Sequence, residues 1–72
     1  MYNEITTEFV KGLIKEVRTV LKVAGYKDLS IRKDEYIINI KRKNKEIDRG
    51  ELLELLAEKF ESKIFNNYIY VI

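Results

Sequence analysis

Neither cysteine nor histidine occurs anywhere in the 72 residues. A chain of this length sits near the lower limit for independent folding, where disulfides, a structural metal or a partner subunit commonly supplement a small core. Without thiols the first is excluded, and without His or Cys the usual zinc ligand sets cannot be assembled. Close packing and self-association remain. The hydrophobic fraction of 46% suffices for an ordered core and is too high for a disordered chain. One domain over residues 1–72 is expected.

The same two absences restrict the chemistry. No Ser-His-Asp triad, Cys-His dyad or imidazole general base can form. Gly12, Gly25 and Gly50 stand apart, so there is no glycine-rich phosphate loop. The stretch Asp48-Arg49-Gly50-Glu51 has too few acids for a calcium loop. No enzymatic activity, catalytic residue, cofactor or metal is expected.

Apolar residues Ile5, Phe9, Val10, Leu13, Ile14, Val17, Val20, Leu21 and Ala24 recur at three- and four-residue steps, which predicts a helix over about 4–24. They cover roughly half its girth, more than the ~100° needed to cover a sheet. Lys11, Lys15, Arg18 and Lys22 form a basic stripe opposite. Gly25 supplies a left-handed helix end onto which Tyr26 folds back. Alternation at 29–32 and 36–41 predicts a β-hairpin with its turn near Lys33-Asp34.

Asp48 and Glu51 have capping-box spacing, and Ile47 and Leu52 the spacing of a hydrophobic staple. A second helix, running to about Ser62, follows with Leu52, Leu53, Leu56, Ala57 and Phe60 inward. Glu51, Glu54 and Glu58 form an acidic stripe, read as a solvated helix face rather than a metal site. Lys63–Phe65 and Tyr68–Ile72 are β-prone, and Asn66-Asn67 fits a two-residue turn between them. The expected fold class is α+β: a two-layer sandwich of order α-β-β-α-β-β, with two helices on one face of a mostly antiparallel sheet of about four strands. The expected core is Phe9, Leu13, Val17, Leu21, Ile38, Ile40, Leu52, Leu56 and Phe60.

Such a sheet leaves one face uncovered, carrying Ser30, Arg32, Ile37, Asn39, Lys41, Tyr68, Tyr70 and Ile72. Two readings follow. In the first, the chain is a small protein-docking regulator or inhibitor acting as a homodimer through Tyr68, Tyr70, Ile72, Ile37 and Asn39, since exposed Tyr and apolar side chains mark interfaces. In the alternative it binds nucleic acid or a nucleotide, with Lys41, Arg42, Lys43, Lys45 and Arg32 on phosphates and Tyr rings on bases. Residues 1–45 hold 11 Lys/Arg against 6 Asp/Glu and residues 46–72 hold 3 against 6, so the two helices carry stripes of opposite sign. A twofold partner would set these stripes against each other.

No signal-type N-terminus and no apolar run of membrane-spanning length is seen, so a cytoplasmic protein without a membrane partner is expected. The Lys-, Ile- and Asn-rich composition suits an AT-rich phage, plasmid or other mobile-element gene. The chain is assigned to no family. Its helix–hairpin–helix–strand order is similar to that of one class of KH-type RNA-binding domains. Those carry a Gly-x-x-Gly loop between helices, which this sequence lacks, so the resemblance covers element order and implies no site.

Overall fold

A computed structural model of the chain describes residues 2–72, with side chains from Glu8 onward. The expectation for Ile5 lies outside the described side chains. The order is α1 (Tyr2–Val23), β1 (Leu29–Asp34), β2 (Ile37–Arg42), α2 (Arg49–Lys59), α3 (Ser62–Tyr68) and β3 (Ile69–Val71). The class is α+β. The sheet, however, has three strands in the order β1-β2-β3, not four, and it is mixed. β1 and β2 pair antiparallel, while β2 and β3 pair parallel with Ile38 opposite Ile69 and Ile40 opposite Val71.

Helix α1 closes as its glycine requires. Gly25 takes φ 88°, its N–H donates to Lys22 O at 3.0 Å, and Tyr26 N–H donates to Leu21 O at 3.0 Å. This pair of bonds is the Schellman arrangement, which satisfies carbonyls the helix leaves open. Val10, Leu13, Ile14, Val17 and Leu21 point inward. Phe9, expected in the core, is 42% exposed. It lies at the flank of the inward arc and meets α3 rather than the sheet, its ring edge-on to Tyr68 at 5.1 Å.

The hairpin turns two residues later than expected. Asp34 pairs with Ile37, leaving Glu35-Tyr36 as the loop, with Glu35 at φ 56°. No glycine occupies this left-handed position, so composition alone does not mark the turn.

Helix α2 starts where its cap predicts. Asp48 Oδ1 accepts from Gly50 N–H at 2.8 Å, one residue short of the Glu51 N–H that a full capping box uses. A Cβ on Gly50 would stand 3.2 Å from that oxygen, so glycine keeps the cap close. The helix ends at Lys59, earlier than expected, because Phe60 and Glu61 are extended.

The strand expected at Lys63–Phe65 and the turn at Asn66-Asn67 are instead helix α3. Ile64, Phe65 and Tyr68, at helical spacing, pack against the core, and Asn67 Nδ2 donates to Lys63 O at 2.8 Å. The parallel pairing explains this outcome. Two parallel strands need a long crossover between them, and α2 and α3 supply it.

One core joins α1, β2, α2 and β3: Val10, Leu13, Ile14, Val17, Leu21, Ile38, Ile40, Leu52, Leu56, Phe60, Ile69 and Val71, with half-buried residues of β1 and α3 packed against it. One sheet face is buried beneath the helices and the other is open. Among the described residues no helix is long and apolar enough to cross a membrane.

Replacing Asp48 by Ala is expected to lower unfolding free energy by about 0.5–2 kcal/mol, read by denaturant titration. Tyr26, half-buried near the start of α2, has its phenol held above the ordinary 10.0, by burial first and then by the charges of Glu51 and Asp48. The folded state thus keeps a proton that the unfolded state releases earlier. The associated stability is fully present below about pH 10 and is lost as pH rises through the folded value. Unfolding free energy is expected to fall on alkaline titration, and less steeply in Tyr26→Phe.

Candidate functional site

The open sheet face is set by strand alternation. Its residues are Ser30, Arg32 and Asp34 from β1, Ile37, Asn39 and Lys41 from β2, and Tyr70 from β3, because these alternate with the inward residues. Ile72 prolongs β3: its N–H donates to Ile40 O at 2.8 Å, which keeps the register one residue further.

The register fixes which side chains are neighbours. Arg32, Asn39 and Tyr70 form one transverse row, about 10 Å across at the usual strand spacing. Ser30 and Lys41 form the next, with Ile72 at its β3 end. A shallow concavity of about 570 Å³ lies here, lined by Ser30, Arg32, Asn39, Lys41 and Ile72, with Lys33, Asp34 and Lys43 at its rim. Arg32, Lys41 and Lys43 face the single acid Asp34, while Lys33, opposite the inward Ile38, donates its Nζ to Glu35 O at 3.4 Å. Among the described residues, none of Arg32, Lys33, Lys41 or Lys43 forms an ion pair. Tyr70 and Ile72 are 45% and 60% exposed, while Ile37 and Asn39 are half-buried.

Tyr68, expected on this face, and Arg42 and Lys45, expected as phosphate contacts of a basic loop beside it, lie elsewhere. Tyr68 belongs to α3 and packs against Phe9 in the helix layer. The expectation that it shares a face with Tyr70 fails because the helix ends and the strand begins between them. Arg42 points to the covered side, where its Nη1 donates to Ile47 O at 2.8 Å and its Nε to Ile72 O at 3.4 Å. It ties the loop before α2 to the end of β3. Lys45 is exposed in that loop, outside the concavity.

The helix stripes also resolve residue by residue. Lys15 and Lys22 are exposed on α1, and Lys11 pairs loosely with Glu8 at 3.8 Å. Arg18 is engaged: its Nη2 donates to Ile31 O at 3.2 Å. Glu51, Glu54 and Glu58 are exposed on α2, in the layer on the other side of the sheet from the concavity. Among the described residues no three potential ligands converge on a metal position.

Sequence reasoning missed Lys33 and Asp34 as rim residues, because it put the turn there. It also missed Arg49, whose Nε donates to Val71 O at 3.1 Å. No local signal marks that bond, which depends on β3 lying beside the start of α2. The two residues joining α2 to α3 are Phe60 and Glu61, an aromatic and an acid, so the element-order likeness to KH-type domains brings no phosphate-binding loop. No protein-family model, curated protein or solved structure matches the chain.

The face thus offers cationic, amide and hydroxyl groups beside one exposed aromatic ring. It can neutralise and hydrogen-bond an anion and stack on a planar group. The two central arginines differ in kind. Arg42→Ala is expected to cost about 1 kcal/mol or somewhat more, because the half-buried Ile47 carbonyl loses a charged donor. Arg32→Ala should stay within about 0.5 kcal/mol. Paired denaturation curves check the contrast.

Proposed function

We propose that this chain is a non-enzymatic cytoplasmic binding module whose open sheet face takes a flexible phosphate-bearing strand, in the form of single-stranded nucleic acid. One observation carries the reading: Arg32, Asn39 and Lys41 line a shallow concavity that sets Arg32, Lys41 and Lys43 against the single acid Asp34, and Tyr70 stands next to Asn39 in the adjoining strand. Unpaired cations meet phosphates, Asn39 and Ser30 bond base or sugar edges, and Tyr70 stacks on a base. The acidic stripe of α2 is on the other layer and does not confront the bound strand.

A protein-docking role for the same face has less support. With Tyr68 in the helix layer, the strongly exposed apolar groups here are Tyr70 and Ile72, and lysine is depleted from protein interfaces. A second reading, a homodimeric regulator or inhibitor that docks on another protein, is favoured by a different observation. Val20, Val23, Ala24 and Leu55 line an apolar groove on the helix side.

Fluorescence anisotropy with labelled single-stranded DNA and RNA oligonucleotides tests the proposal. Affinity should fall with salt, with a log–log slope of about −0.7 per phosphate contacted. Arg32→Ala/Lys41→Ala should weaken binding at least roughly tenfold and flatten that slope. Tyr70→Ala should cost about 1–3 kcal/mol and leave the slope unchanged. No anisotropy change with either oligonucleotide at low salt, or binding indifferent to the double substitution, overturns the reading.

A further inference from the structure

The helix layer has an unfilled seam. Thr19, Val20 and Val23 of α1, with Ala24 just beyond its end, face Leu55 and Lys59 of α2 across a groove of about 400 Å³. A second depression continues it, bounded by Lys15, Glu16, Thr19, Val20, Lys59 and Phe60. Val23 is 82% exposed. Single exposed apolar side chains are ordinary, but a continuous apolar groove between two helices calls for an occupant.

From this seam we infer that a second copy of this chain packs on it, with the twofold axis running along the groove. The charges at the seam select that partner and that axis. Residues 20–24 stand level with Leu55, and residues 15–20 stand level with Lys59 and Phe60, so the helices run antiparallel. Glu16 on the α1 bank and Lys59 on the α2 bank border the same depression, yet among the described residues they form no ion pair. A twofold axis along the groove lays each α1 bank on the partner's α2 bank at the same level. Glu16 then meets the partner's Lys59, and Lys59 meets the partner's Glu16. A twofold interface requires this reciprocity. An axis across the groove would instead put α1 on α1 and leave Glu16 without the partner's Lys59.

The size of the fold points the same way. The chain has no cysteine, and a domain this small commonly gains stability from association. Closing the seam buries Val20, Val23, Ala24 and Leu55 without disturbing the core. The surface is on the opposite layer from the basic sheet face, so the inference stands independently of the nucleic-acid reading.

Size-exclusion chromatography with light scattering, from micromolar to millimolar chain, tests it. The parent should show twice the 8.6 kDa chain mass at the upper concentrations. Val23→Glu should give a monomer with unchanged circular dichroism, because its side chain is exposed. Lys59→Glu and Glu16→Lys should each weaken the dimer at least roughly tenfold by placing like charges together, and the double variant should recover parent association. A parent mass of one chain throughout overturns the inference. So does a dimer indifferent to Val23→Glu, and a double variant no better than either single one contradicts the proposed axis.

Discussion

Everything in this molecule is arranged about β2, the strand paired on both sides. Its alternation commits Ile38 and Ile40 to the helix side and Ile37, Asn39 and Lys41 to the other. A slip of one residue in either pairing would exchange those sets and put Lys41 beneath the helices. The register therefore does more than hold the sheet. It decides that the inner row is wholly aliphatic and that the outer rows bring Arg32, Asn39 and Tyr70 side by side. Because the β3 pairing is parallel, the chain must travel over the sheet between the two strands. The helix layer is in this sense a consequence of the direction of one short strand.

What the sequence discloses and what it conceals divide along range of interaction. Gly25 and Tyr26 end α1, and Asp48 begins α2, through bonds within a few residues, and both were legible. Ile38 and Ile40 were legible as inward residues because strand alternation is local. The segment Lys63–Tyr68 was not. Its residues suit a strand by preference, and Asn66-Asn67 suits a turn, but no strand lies where such a hairpin would pair. Ile64, Phe65 and Tyr68 also match helical spacing, and burial against the core decides between the two patterns. Phe9 was misplaced for a related reason: periodicity gives an arc of the helix, while only the neighbouring α3 says which flank of that arc is covered. Seven of the eight residues on the open face, all but Asp34, follow from alternation in β1 and β2 or from Tyr70 and Ile72 sharing parity.

Charge was legible as a total and not as a distribution. The basic first part and acidic second part of the sequence suggest two charged helices. The structure sorts the cations by hydrogen bonding instead. Arg18, Arg42 and Arg49 donate to backbone carbonyls, whereas Arg32 and Lys41 border open solvent. Nothing in composition separates these groups. A guanidinium offers several donors in a fixed fork, which suits it to span from a side chain to carbonyls of distant segments, as Arg42 does from β2 to Ile47 and Ile72.

Two of those arginines have a further consequence. Ile31 in β1 and Val71 in β3 alternate with the residues that bond to β2, so their carbonyls point outward from the two margins of the sheet. Arg18 occupies the first and Arg49 the second. An outward carbonyl row is a template on which another extended chain can add itself, and proteins with open sheets guard against such growth with charge at the border. Here each border carries a cation already seated on an acceptor that an incoming strand would need. A fourth strand would have to displace these guanidinium groups before it could pair at either margin.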